Sequence, residues 1–149
     1  MAAVETARRG IQSGQSPFGA VIVRDRKIVS SMHNTVWMTC DPTAHAEVNA
    51  IREASKVLKT IDLTGYDMFT TCEPCPMCLT AIHWAKIDRV VYGATIEDAA
   101  NAEFQELKFP AEELARKGGS LLKVEAGPYR DVCAGLFQEW KNAKLCKSY

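Results

Sequence analysis

Two rhythms of apolar residues alternate along this chain, one close to the helical period and one typical of strands. Across MAAVETARRGIQSGQ the apolar positions Val4, Ala7 and Ile11 recur three and four apart, which predicts a short helix ended by Gly14. FGAVIVRDRKIVSSMHN then offers two runs rich in valine and isoleucine around Asp25 and Arg26, the pattern of a β-hairpin. The helical period returns in DPTAHAEVNAIREASKVL, where Val48, Ile51, Ala54, Val57 and Leu58 form one stripe and Asp41 or Thr43 is available as N-cap.

YDMFTT reads as a short strand broken off by Pro74 and Pro76, and MCLTAIHWAK as a helix that Pro76 is suited to open. RVVYGA is a buried-looking strand, and strand, helix, strand of this length implies a right-handed crossover and a parallel pair. Residues 95–119 are less regular, with a helix over PAEELARKGG stopped by Gly118 and Gly119. SLLKVEA is a candidate last strand, and an amphipathic helix runs from Pro128 through Val132, Leu136, Phe137 and Trp140 into AKLCKSY. No repeat, linker or low-complexity segment divides the pattern, so one domain is expected over residues 1–149. The element order predicts an α/β fold, a three-layer α/β/α sandwich around a mixed five-stranded sheet.

Composition narrows the function. At 149 residues and 47% hydrophobic content the chain can bury a sizeable core. Eighteen basic residues balance eighteen acidic ones, so no strong field favours a polyanion or an anionic membrane, and nucleic acid is disfavoured as a partner. Lys141, Lys144 and Lys147 lie at helical spacing, which fits a solvated face better than a row of phosphate contacts. The opening MAAVETARRG lacks the apolar core and cleavage site of a secretory signal, and no apolar run approaches the length of a membrane span. A soluble, cytoplasmic protein is expected.

Six cysteines in a reducing compartment point to metal or catalysis rather than disulfides. Three of them crowd into CEPCPMC, residues 72–78, while Cys40, Cys133 and Cys146 stand apart and read as inert thiols. Cys75 and Cys78 alone fit a redox couple, half of a structural zinc knot, or two ligands of a catalytic zinc. His45, with Glu47 two residues on, offers a third ligand and a proton carrier. Cys72 as a fourth ligand would close the coordination shell and make the metal structural, but it sits on the strand side of Pro74.

His45, Ala46, Glu47, then Pro74, Cys75, Pro76, Met77, Cys78 reproduce a histidine-x-glutamate and proline-cysteine-x-x-cysteine pair of motifs. The sequence thereby resembles the cytidine and deoxycytidylate deaminase superfamily. That resemblance implies a cytidine-deaminase-like fold, one zinc per subunit on His45, Cys75 and Cys78, and hydrolytic loss of ammonia with Glu47 as the catalytic proton shuttle. SPFGAVIV, DPTAHAEV, CEPCPMC, YGA and a C-terminal aromatic look most like the bacterial guanine deaminase branch, although tRNA adenosine deaminases share the zinc motifs and DPTAHAE.

The narrower resemblance implies a free purine base as substrate, with xanthine as the product from guanine. Phe18 would pack on the purine, Asn34 would hydrogen-bond it, and His45 would stack on the ring. Backbone near Ala46 and Glu47 would read its edge, and Trp84 and Tyr149 would enclose it. Core packing is the plain alternative for Phe18 and Trp84, and turn formation for Asn34. Where the branch commonly carries paired aspartates after a phenylalanine, Phe104 is followed by Gln105 and Glu106. Glu106 keeps the substrate-binding carboxylate with one more methylene, and a buried acceptor favours a base presenting N–H donors, guanine over adenine. A homodimer is implied as well, in which the C-terminal segment can cross to the neighbour. The alternatives are a tRNA-specific adenosine deaminase, a deaminase of a related nucleoside or aminotriazine, and a non-catalytic zinc module.

Overall fold

The computed structural model describes residues 1–143. Its elements run α1 Ala2–Gln12, β1 Gly19–Arg24, β2 Lys27–His33, α2 Val36–Thr39, α3 Ala46–Leu58, β3 Asp67–Cys72, α4 Pro76–Trp84, β4 Arg89–Ala94, α5 Ile96–Asn101, α6 Ala111–Lys117, β5 Lys123–Ala126 and α7 Arg130–Lys141. The five strands lie in the order β2-β1-β3-β4-β5. β1 pairs antiparallel with β2 and β3, and the β3–β4 and β4–β5 pairs are parallel. The sheet is therefore mixed, as expected.

The hairpin turns on Asp25 and Arg26, both at positive φ (50° and 62°), the two-residue geometry whose twist matches paired strands. One row of partners, Ile22, Met68, Val90 and Val124, crosses four strands in register, and the first three are fully buried. α1 and α7 pack on each other and on the sheet, while α3 packs on β1 and β2 with α4 beside it. The result is the expected three-layer sandwich. α1 rests on β1 backbone to backbone, because a Cβ at Gly19 would stand 2.3 Å from the Ala3 carbonyl oxygen. Among the described residues, no helix is long and apolar enough to cross a membrane.

One boundary and two short helices differ from the sequence pattern. α3 begins at Ala46 with His45 at the N-cap position, rather than after Asp41 or Thr43. The reason is local: Asp41 Oδ1 accepts from both the N–H and the hydroxyl of Thr43 (2.8 and 2.7 Å), folding 41–44 into a turn of its own. α2 and α5 were not expected as helices. α2 is four residues long, too short to show a period, whereas α5 carries a capping box between Thr95 and Asp98 that is readable in TIED. The expected continuation of the last helix into AKLCKSY falls, from residue 144 on, outside the described residues.

Candidate active site

The site forms where two neighbouring helices begin. His45 immediately precedes α3 and Cys75 immediately precedes α4, both in extended backbone conformation, and Cys78 follows in the first turn of α4. Pro76 occupies the first turn, where its missing N–H costs no helical bond. Helix N-termini favour negative groups, which helps a thiolate at Cys75, immediately before α4. The loop delivering His45 is clamped by buried Asn49, whose Nδ2 donates to the Ala44 carbonyl (3.1 Å), Thr35 Oγ1 (2.9 Å) and the His33 carbonyl (3.1 Å).

His45 Nδ1 stands 3.5 Å from Cys78 Sγ and 3.8 Å from Cys75 Sγ. Tetrahedral zinc, with bonds of roughly 2.0–2.1 Å to nitrogen and 2.3 Å to sulfur, separates such ligands by about 3.6 Å, so the trio fits the ion. The ligand atoms of all three lie within 4.8 Å of one another. Cys72 is outside this cluster: its buried thiol faces the Thr95 carbonyl oxygen at 3.5 Å.

Electrostatics support the same fit. A hydrogen bond from Cys78, working against burial and helped by His45, holds the Cys75 thiol down at about 4. Cys78, donating that bond and buried, is pushed up. Burial opposes charge on His45, but its bond to Cys75 and the charge of Glu47 outweigh this and raise it. Burial raises Glu47, and it lifts Glu106 to about 7 with the Cys75 charge adding to the effect. Several negative groups thus repel one another around one point, a repulsion that a dication relieves.

Glu47 is buried, with Oε1 accepting from Thr70 Oγ1 at 3.2 Å and Oε2 lying 3.5 Å from Cys78 Sγ. An inner cavity of about 10 Å³ is lined by Phe18, His45, Glu47, Cys72, Glu73, Cys75 and Glu106. It adjoins an outer groove of about 320 Å³ that shares His45, Cys75 and Glu106 and adds Pro42, Pro76, Met77, Phe104, Gln105 and Leu107. Phe18 is both lining and core, since its ring meets Phe104 at 4.9 Å and Phe137 at 5.9 Å edge to face.

His45, Glu47, Cys75, Cys78, Phe18 and Glu106 are thus brought together. Ala46 is fully buried at the first position of α3, where the leading N–H groups have no helical partner. Asn34 is buried beside Phe18, its N–H donating to the Phe18 carbonyl and its Oδ1 accepting from Val36 N–H at 3.1 Å, the turn role. It lines neither cavity. Trp84 is not brought to the site of its own chain: it closes α4 and is 80% exposed. α4 starts at the ligands and runs away from them, and six residues past Cys78 advance it about 9 Å. Tyr149 and Cys146 lie outside the described residues. The sequence pattern had singled out neither Thr70, Asn49 nor Glu73; only the position of Glu73 inside CEPC hinted at a part in the site.

Comparison with known proteins agrees with this geometry. The family model of the cytidine and deoxycytidylate deaminase zinc-binding region matches residues 1–94. Guanine deaminase of Bacillus subtilis is 49% identical over 99% of this chain and 94% of its own length. A tRNA-specific adenosine deaminase of Aquifex aeolicus is 42% identical over 62% of this chain and 61% of its own. The structure of guanine deaminase from Nitrosomonas europaea superposes with a TM-score of 0.83 at 26% identity, covering 93% of this chain and 80% of that one. The matched region contains His45, Glu47, Cys75 and Cys78 in the arrangement described, and the chain belongs to the zinc-dependent cytidine and deoxycytidylate deaminase family of hydrolytic deaminases.

Proposed function

We propose that the protein deaminates free guanine: water adds at the ring carbon bearing the exocyclic amine, the C–N bond breaks, and xanthine and ammonia leave. The observation that carries this reading is the Glu106 carboxylate at the cavity beside His45, Cys75 and Glu47. Zinc on His45, Cys75 and Cys78 would relieve the Cys75 charge that helps raise Glu106. In its ionised form that carboxylate only accepts hydrogen bonds, matching the N–H donors of guanine and not the acceptor nitrogens of adenine. The larger matched share and higher identity of the Bacillus subtilis relative support the same choice.

In this reading His45, Cys75 and Cys78 would hold zinc. The chemistry that bound zinc supplies is activation of water at neutral pH. Glu47 takes a proton from the attacking water, delivers it to a ring nitrogen, and then protonates the departing amine; burial raises its carboxyl above the ordinary range, which favours holding a proton between these transfers. Phe18 packs on the base and the buried backbone at Ala46 borders its edge, while Asn34, which lines neither cavity, would reach the base from beside Phe18 once seating it widens the inner cavity. The inner cavity is smaller than a purine, so seating the base displaces the Glu106 or Phe18 side. Replacing Glu106 by Gln should raise KM for guanine about tenfold, the scale of a charged hydrogen bond, and leave zinc in place. An unchanged KM would remove Glu106 from the pocket.

A homodimer completes the reading. Exposed Trp84 and Leu121 flank the His83–Ser120 hydrogen bond (2.8 Å) and offer an apolar patch for a second copy. α7 packs on its own α1 and β4, with Arg8 bonded to Glu139 at 2.9–3.0 Å, so any exchange of the C-terminus begins beyond those contacts or replaces them in kind. Tyr149, expected to enclose the base, lies outside the described residues. The five described cysteines are all free thiols, which fits a cytoplasmic setting. An editing deaminase acting on tRNA would instead show salt-dependent binding to an anticodon hairpin.

A further inference from the structure

Glu106 rides on the segment joining α5 to α6, and another carboxylate bonds the first residue of each of those helices. Glu73 stands between Cys72 and Cys75 in the chain, its N–H donating to the Ala94 carbonyl at 2.8 Å beside the end of β4. Its half-buried side chain accepts twice: Oε2 from Ile96 N–H at 3.2 Å and Oε1 from Ala111 N–H at 2.9 Å. Ile96 and Ala111 are the first residues of α5 and α6, whose leading N–H groups lack partners within their own helices. One carboxylate thus joins the two ends of residues 96–111, a segment made of α5 and the irregular stretch that follows it.

Residues 104–110 have no regular structure of their own. Phe104 is their inner anchor, buried with its ring 4.9 Å from Phe18 and 5.0 Å from Trp140. Glu106 follows it into the cavity. With the middle anchored by Phe104, the pose of Glu106 depends on how the two stems are set, and the stems meet at Glu73. Bonds to an ionised acceptor are the stronger class, and a glutamate spans both donors where an aspartate is one methylene short.

We propose that Glu73 is a positioning residue, clasping the two ends of the 96–111 loop and so holding Glu106 in the pose that binds the base. It acts through Glu106 and rests on the reading of Glu106 as the base contact. Both of its oxygens are directed at loop amides, and it takes no part in the bond changes. The position next to the metal ligands raises the competing role of supporting Cys75, which zinc content separates.

The test compares zinc-loaded Glu73→Ala, Glu73→Gln and Glu106→Gln with the parent protein. Hydrogen exchange over 96–111, zinc content, KM and kcat for guanine are measured on each. The expected result for Glu73→Ala is faster exchange across 96–111 and a KM raised about tenfold, with zinc and kcat retained. Glu73→Gln keeps one acceptor oxygen and should fall between, which preserves the test if the alanine variant folds poorly. Unchanged exchange over 96–111, or loss of zinc without faster exchange, overturns the proposal. Faster exchange in Glu73→Ala beside an unchanged KM in Glu106→Gln upholds the clasp and removes Glu106 as the base contact.

Discussion

Glu47 sits within reach of Thr70 and Cys78, in a buried position that raises its carboxyl. A glutamine there keeps the shape and loses the exchangeable proton. Glu47→Gln should lower kcat by roughly 10²–10⁴-fold with zinc content unchanged, the usual weight of a positioned acid–base group. Metal analysis beside steady-state kinetics checks both halves. Cys72→Ser should retain full zinc, since the thiol faces the Thr95 carbonyl and not the His45 cluster. Loss of metal in that variant would make the site four-ligand and structural. His45, Cys75 and Cys78 were legible in the sequence because zinc coordination calls for those residue types, with the two cysteines at a short, fixed spacing, and Glu47 stood out through its place two residues after His45. Thr70, Asn49 and Glu73 were not legible, because hydroxyls, amides and carboxylates are common and only strand register and loop closure bring these to the site. Trp84 shows the converse: its size says nothing of which way α4 points it.

At the scale of elements, close backbone approaches and helix caps decide stability. Gly19 has no room for a Cβ beneath α1. Gly19→Ala should therefore lower unfolding stability by about 1–3 kcal/mol, because the neighbouring atoms are backbone and cannot turn aside. Chemical denaturation measures the loss, and a change under half that size would mean that α1 shifts freely. Asp98 caps α5 and also binds Arg130 at the start of α7, joining two elements. Burial opposes its ionisation, yet the bonds from Arg130 and Thr95 prevail and hold its carboxyl below the ordinary range. The sign follows: a depressed folded pKa contributes stability above the unfolded value of about 3.9, and the contribution fades as pH falls through the folded value. Asp98→Ala should cost about 1 kcal/mol at neutral pH, with the gap to the parent narrowing below about pH 4. A gap constant with pH would contradict this. The strongly periodic α3, α7 and the hairpin were readable as patterns, whereas α2 is too short for any period and the start of α3 was displaced by the Asp41 turn.

Across the whole molecule, the mixed sheet sets the chemistry. β3 and β4 run parallel, and β3 leads through CEPC into the start of α4, beside α3. The N-termini of α3 and α4 therefore converge, bringing His45 to Cys75 and Cys78 across 30 and 33 residues of sequence. The sequence carried this architecture well, since alternating strands and helices admit few arrangements once one parallel crossover is placed. Its silence was about the loop 102–110, whose pose comes from Phe104 in the aromatic core and Glu73 at the stems. The measurement that tests the account most directly is ammonia release by the zinc-loaded protein from guanine, set beside adenine and a tRNA anticodon hairpin, with the product identified. Ammonia and xanthine are expected in equal amounts from guanine, with no release from the other two. Inert guanine beside a reactive hairpin or adenine would contradict it.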